Sequence, residues 1–342
     1  MITQFKVHEK SNTSETIPDL SIIIVSYNTK DMTRQCLKVI EKYSEGIDKE
    51  VIVVDNNSHD GSGDMISSDF SWVKLIRLTE NRGFAGGNTP GMKAASGKYI
   101  LLLNSDSFLT RNSLSNTISY MDKNPRIGIL GCKLTNPDGS LQPSARMLPS
   151  PLNKFLTITG LAYRFSKSRF FGRVDFSWWD HSTPRSVGWV VGAFFLIRRE
   201  AMEEIGYLDE RYFLYFEEVD YCITARRKGW DVVFYPYASV VHIGGQSAVK
   251  TDMDISDKGA QVISIRLASE YKYYRKIYGL CYTVLSAMIE FIWNMVILVK
   301  NFIFRSEYSA YKRSMALVTM RLIVSILLKD NWGKGNLTPG NT

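Results

Sequence analysis

Three polar clusters close apolar runs in the first third of the chain: Ser26, Tyr27 and Asn28 after LSIIIV, Asp55, Asn56 and Asn57 after EVIVV, and Asn104, Ser105 and Asp106 after YILLL. A buried run must turn polar where it meets solvent, so one such cluster is ordinary. Two carboxylates, Asp55 and Asp106, at strand ends that converge mark a site. The Gly-rich stretch NRGFAGGN (81–88) adds backbone that allows close approach. It lacks GxGxxG and does not follow the first apolar run, so it is not a dinucleotide fingerprint.

The elements that position these residues follow from the patterning. LSIIIVSYN (20–28), EVIVVDNNS (50–58), VKLIRL (73–78) and KYILLLN (98–104) read as strands, with a helix from Asp31 and another from Pro90. Doubly buried strands alternating with helices predict an α/β fold, an open, mostly parallel sheet flanked by helices. Ligands of such sheets bind beyond the carboxyl ends of the strands. Pro143 to Pro184, with SWWDHSTPR, reads as a loop. VGWVVGAFFLIRREAMEEIGYLDE (187–210) is a strand turning into a helix. Glu217, Glu218 and Asp220 then open a helix that Gly229 closes, a placement that suits the helix dipole. The strand DVVFYP and the turn VVHIGGQS (240–247) follow.

At 342 residues the chain holds one large domain or two smaller ones. Cys36, Cys132, Cys222 and Cys281 form no CxxC pair, which argues against a disulfide framework or zinc knuckle and fits a reducing cytosol. The opening MITQFKVHEKSNTSETIPDL has no apolar core of the signal-peptide type, so no export signal is expected there. The formal charge is +8, and residues 271–329 carry nine Lys and Arg against two Glu. That charge brackets apolar helices, which predicts an anionic membrane surface as the partner and no nucleic acid.

The ordered set SIIIVSYN, VVDNNSHDGS, NRGFAGGN, LLLNSD, GAFFLIRRE, FEEVDYC and HIGGQS resembles the family 2 glycosyltransferases of the GT-A fold, in particular the bacterial rhamnosyltransferase-like branch. The resemblance covers about residues 20–270. It implies a polar leader (1–19), a catalytic domain (20–270) with a nucleotide-sugar part (20–135) and an acceptor part (136–270), and a basic amphipathic extension (271–342). It further implies inverting, metal-dependent transfer of a sugar, L-rhamnose from dTDP-rhamnose first and a hexose from a UDP-sugar second, to a polyprenyl-diphosphate-linked or polysaccharide acceptor of bacterial surface-glycan synthesis.

By the same resemblance Asp55 would accept the imide N–H of a pyrimidine base, with Asn57 and Ser58 in support and Ser26 and Asn28 alongside. NSD matches the family's DxD-type motif: Asp106 would hold Mg²⁺ or Mn²⁺, His242 would complete the shell, and Asn104 stands where an older form has Asp. Arg82 and Gly83 would face the diphosphate or sugar; GNTPG departs from the commoner GNNxG, leaving Thr89 where a donor-binding Asn is expected. Glu217 and Glu218 match an acidic pair, with Glu218 as the base that deprotonates the acceptor; Glu is one methylene longer than the usual Asp, so Asp220 and Glu217 stay as alternatives. WVVGA (189–193) would line the acceptor side through Trp189 and Gly192.

Residues 277–299 are long enough to cross a bilayer, interrupted only by Glu290 and Asn294 on one helical face. Lys272, Arg275 and Lys276 before it and Lys300 and Arg305 after it favour a helix lying in the interface, peripheral or monotopic, and the lipid-linked acceptor that the resemblance implies would put it at the cytoplasmic face of the inner membrane. A second amphipathic stretch runs from Tyr308 to Lys329. A helical hairpin packed on the catalytic domain, or a homodimer through these helices, is the competing arrangement. Competing functions are a nucleotidyltransferase, which would want a Gly-rich basic loop after the first strand, and a membrane-attached scaffold of the same ancestry that has lost catalysis.

Overall fold

The computed structural model describes residues 17–244, 255–303, 306–330 and 332–333. Residues 1–16 of the expected leader, residues 245–247 of the expected turn, Arg305 and the tail from residue 334 lie outside the described residues.

The chain begins by alternating: β1 (Leu20–Ser26), α1 (Lys30–Tyr43), β2 (Lys49–Asp55), α2 (Ser62–Asp69), β3 (Lys74–Arg77), α3 (Gly83–Ala94) and β4 (Tyr99–Asn104). Strands β3, β2, β1 and β4 lie side by side and parallel, each within a few residues of its expected span. Their register puts Ser26 beside Asp55 and Val25 beside Asn104, so the three polar clusters form one row at the carboxyl edge. Alternate residues of β1 feed opposite core layers: Ile22 and Ile24 join Cys36, Leu37 and Ile40 of α1, while Ile23 joins the layer containing Ala85 and Met92 of α3.

The helix expected from Pro90 starts at Gly83 instead, with Pro90 inside it. Packing explains the difference. A Cβ on Gly87 would stand 2.8 Å from Val25 Cγ1 and one on Gly91 2.5 Å from Ile23 Cγ2, so two glycines one turn apart let α3 lie flush on β1. That contact offsets the backbone hydrogen bond that Pro90 cannot make.

Next come β5 (Ser107–Leu109), α4 (Ser113–Lys123), β6 (Ile127–Thr135), β7 (Leu141–Gln142), β8 (Ala145–Arg146), α5 (Pro151–Ile158), α6 (Leu161–Arg164), a 3₁₀ turn at 171–173, β9 (Arg185–Ser186) and β10 (Trp189–Val190). The stretch expected to be loop is thus partly helical; Ser150 caps α5 with Pro151 at its start. Strand β11 (Phe194–Arg198) enters the sheet antiparallel to both β4 and β6, so the sheet is mixed, with its parallel part carrying the polar row. It passes into α7 (Arg199–Ile205), followed by α8 (Glu217–Arg227) and β12 (Asp231–His242). β12 does not stop at Pro236: its register shifts between Tyr235 and Ser239 and it continues to His242, which pairs with Ser107 of β5. That bulge and pairing bring His242 next to Asp106.

Three helices follow: α9 (Ile255–Ile277), α10 (Leu280–Ile303) and α11 (Glu307–Lys329). α9 runs unbroken through the boundary expected at 270/271. Its Leu267 and Tyr271 pack with α10 and α11, while Tyr273 and Tyr274 pack with Tyr212, Val219 and Ile223 of the sheet domain. The helical layer is therefore welded to the domain rather than appended to it.

Candidate active site

A cavity of about 290 Å³ opens at the polar row, lined among others by Tyr27, Asn56, Asn104, Asp106, Glu217, Glu218 and His242. Gly83 and Gly192 also line it, as do Phe84, Phe213, Leu214 and Tyr215.

One wall is oxygen- and nitrogen-rich. His242 Nε2 lies 3.4 Å from Asp106 Oδ1, and Asn104 Nδ2 is 3.4 Å from the same ring nitrogen. The other ring nitrogen, Nδ1, donates to Gln142 Oε1 at 2.6 Å, and Gln142 Nε2 donates to Asn136 Oδ1 at 3.1 Å, which fixes the amide's orientation. With Nδ1 as the donor, the neutral ring has its lone pair on Nε2, facing Asp106, as a metal ligand requires. Among the described residues there is no cluster of three His, Cys, Asp or Glu ligands. A carboxylate and an imidazole fit a hard divalent cation whose remaining ligands are water and diphosphate oxygens.

The start of α8 also lines the cavity. Tyr215 and Phe216 precede it at φ 68 and 70, two successive left-handed residues with side chains, which turn the chain sharply enough to present Glu217 and Glu218 to the cavity. Glu217 Oε2 and Glu218 Oε2 are buried and have no hydrogen-bond partner among the described residues. Burial, with the Glu218 charge beside it, holds the Glu217 carboxyl well above its ordinary range. Burial pushes Glu218 up to about 7, opposed by its own backbone hydrogen bond and the Arg146 charge. Two interacting carboxyls, both held above their ordinary range, can share one proton. Asp220 faces away, its Oδ2 receiving Lys276 Nζ of α9 at 2.6 Å.

The turn that carries both glutamates is tied to the Gly-rich stretch. Phe84 N donates to Phe213 O at 2.7 Å, and Gly83, at φ 69, leaves no room for a Cβ against that same carbonyl. Asn56 braces the other side: its Nδ2 donates to Asn81 Oδ1 and Gly83 O, and its Oδ1 accepts from Arg82 N.

The cavity thus collects Gly83, Asn104, Asp106, Gly192, Glu217, Glu218 and His242 of the expected residues. It does not include Ser26, Asn28, Asp55, Asn57, Arg82 or Trp189 in its lining. Ser26 Oγ lies 3.0 Å from Thr33 Oγ1, in a buried hydroxyl cluster. Asp55 Oδ1 accepts from Ser58 N, and Asn28 Oδ1 from His59 N, so both hold the loop after β2; Asn57 lies in that loop at φ 65. Arg82 pairs with Glu210. Trp189 Nε1 donates to Met147 O, and its ring packs against the core. Asn56, Gln142 and the 213–215 turn were not anticipated; Asn56 had a signal in DNN, whereas Gln142 sits in no motif.

The family model described as Glycosyl transferase family 2 matches residues 21–206. That range holds the polar row and ends before Glu217 and His242. The N-acetylglucosaminyl-diphospho-decaprenol L-rhamnosyltransferase of Mycobacterium tuberculosis is 29% identical over 217 residues, 56% of this chain. The match spans 66% of that relative, just under two thirds. The low-salt glycan biosynthesis hexosyltransferase Agl10 of Haloferax volcanii is 25% identical over 289 residues, 80% of this chain and 83% of that protein. Among solved structures, the mannosyltransferase PcManGT of Pyrobaculum calidifontis, in complex with GDP-Man and Mn²⁺, aligns with a TM-score of 0.50 at 15% identity, over 93% of this chain and 88% of that one. At that identity the likeness is one of fold.

Proposed function

The chain belongs to glycosyl transferase family 2 and has the GT-A fold, and from that premise we propose that it is an inverting glycosyltransferase of bacterial surface-glycan synthesis. The donor is a nucleoside diphosphate sugar, L-rhamnose on thymidine diphosphate in the first instance, and the acceptor is lipid-linked or polysaccharide at the cytoplasmic face of the inner membrane. The mycobacterial relative, named as a rhamnosyltransferase acting on a diphospho-decaprenol carrier, supports that choice of sugar and acceptor. The observation that carries the proposal is the meeting of two groups in one cavity: Asp106 with His242, and Glu217 with Glu218.

In the proposed reaction the Glu218 carboxylate removes the acceptor hydroxyl's proton as that oxygen attacks the anomeric carbon. The glycosidic carbon–oxygen bond breaks with its electron pair leaving on the nucleoside diphosphate. Burial and the neighbouring Glu218 charge push Glu217 towards its protonated form, which lessens its repulsion of the diphosphate. Asp106 and His242 would hold Mg²⁺ or Mn²⁺, which neutralises charge on the leaving diphosphate when bound. Asp55, Asn57, Ser26 and Asn28 shape the β1 and β2 loop ends where the nucleoside is proposed to sit. Gly192 keeps the acceptor side open, with Phe84 alone near its missing Cβ.

The test is a transfer and donor-hydrolysis screen with Mg²⁺ or Mn²⁺, over dTDP-rhamnose and UDP-hexoses, using wild type and Asp106→Ala. Turnover of dTDP-rhamnose that Asp106→Ala abolishes is the expected result. Turnover of a UDP-hexose alone replaces rhamnose, and no turnover of any donor with either metal leaves the scaffold.

A further inference from the structure

Helix α10 is inside out. A helix packed on a water-soluble domain normally buries its apolar stripe. Here the inward side carries Thr283, Ser286, Glu290 and Asn294, all buried. The outward stripe is Leu285, Met288, Ile292, Val296, Val299 and Ile303, with exposures between 46% and 75%. Their spacing of three and four residues keeps them on one face, over a helix about 36 Å long.

The inward side is fastened at its middle. Lys154 Nζ of α5 lies 2.5 Å from Glu290 Oε2 and 2.7 Å from Glu270 Oε1 of α9, Ser286 Oγ donates to Glu270 at 2.8 Å, and Arg266 pairs with both carboxylates. α10 is the one described helix long and apolar enough to cross a membrane. Crossing would draw this ion cluster and the helices that hold it into hydrocarbon, where unsolvated charges are costly. Lying in the plane of the surface leaves the cluster in protein and turns only the apolar stripe to lipid.

We infer that this stripe docks on one leaflet of an anionic bilayer, with α10 parallel to the surface. The rim fits a headgroup region. Tyr278 and Tyr282 stand exposed at one end of α10, and Tyr308 and Tyr311 stand exposed at the start of α11, beside its other end. Lys300 is exposed at the end of the stripe, and beside it on α11 Lys312 stands over the Tyr308 ring and Arg313 donates to Asn301 O; against these cations stands one exposed acid, Glu307, while Glu290 is buried in the ion cluster, so the rim is net basic. A second copy of the chain would bring two such basic rims together. Docking deepens the proposed lipid-borne acceptor, but it is read by lipid contact and not by sugar transfer, so the two fail separately.

The experiment is flotation of the full chain, freed of detergent, with vesicles of phosphatidylcholine alone or with phosphatidylglycerol added. Wild type should float with the anionic vesicles and less so as salt rises. Met288→Glu, Ile292→Glu and Val299→Glu together should lower the partition coefficient by about a hundredfold or more, and Ile292→Glu alone by about tenfold, with unchanged circular dichroism and nucleotide binding. Three results overturn the inference: wild type that does not float with anionic vesicles, variants that float as well as wild type, or a wild-type dimer dispersed by the triple variant with no vesicle binding.

Discussion

Gln142 Oε1 stands 2.6 Å from His242 Nδ1, and this contact holds the ring with Nε2 facing Asp106. The hairpin from β6 into β7 brings Gln142 to β12, where its Nε2 also lies 3.4 Å from His242 O. Removing such an outer partner commonly lowers metal affinity by about tenfold to a hundredfold. Gln142→Ala should weaken Mn²⁺ binding, measured by calorimetry with nucleoside diphosphate present, by about tenfold while leaving the melting temperature nearly unchanged. Unchanged Mn²⁺ affinity would show that the tautomer is set elsewhere.

Glu218 gives a pH signature. Its carboxyl is pushed up to about 7, so the base form grows as pH rises through that value and transfer should rise with it. Glu218→Gln should cut kcat by about a hundredfold to ten-thousandfold and flatten the profile, with nucleotide affinity retained. Near-normal turnover in that variant would remove Glu218 from the reaction.

The same shift has a sign for stability. Burial raises the folded-state pKa above the ordinary 4.5, so the folded state binds this proton more tightly than the unfolded chain. The group's contribution is full below about 4.5 and is lost as pH rises through about 7. Glu218→Gln, which removes the buried charge, should therefore raise the melting temperature at about pH 8 and change it little at about pH 4. A lower melting temperature at the higher pH would contradict the burial argument.

Gly91 is a packing requirement rather than a flexible joint. A Cβ there would sit 2.5 Å from Ile23 Cγ2 and 3.4 Å from Val54 Cγ2, in the layer between α3 and the sheet. Gly91→Ala should cost about 1–3 kcal/mol in urea unfolding by pushing α3 off β1, and should slow transfer because Gly83 and Phe84 ride on the same helix. A neutral result would mean that α3 has room to shift.

The strands carrying the polar row were legible because doubly buried parallel strands have an unmistakable composition, and the row follows from their register. Asp106 and Glu218 were expected from motif order, and both line the cavity. Three things were not legible. The start of α3 was misplaced because Pro90 signals a first turn, while the deciding contacts of Gly87 and Gly91 lie on another element. Gln142 was missed because its partner His242 lies 100 positions further along the chain and reaches it only through a bulge in β12, which no pattern around Gln142 reveals. The polar interruptions of α10 were visible, but their direction was not: Glu290 and Asn294 point at Lys154 and the domain only because α5 and α9 supply partners.

Those partners permit a last prediction. Lys154 is nearly buried and lies within 2.7 Å of carboxylate oxygens on both α9 and α10. Truncating it leaves Glu270 and Glu290 as neighbouring acids in a dry pocket, with Arg266, more exposed, as their remaining counter-charge. Breaking a buried ion cluster from one side typically costs about 3–5 kcal/mol, more than the cluster contributes against an apolar replacement, because the remaining charges lose both water and partner. Lys154→Met should therefore destabilise the full chain by about that amount in urea unfolding. Adding Glu290→Gln should recover part of the loss, since it removes one of the two stranded charges. The cost should grow as pH rises from about 5 to 8, because the stranded acids escape by protonation at the lower value. If the double variant is as unstable as the single one at every pH, the cluster acts through shape and not through charge.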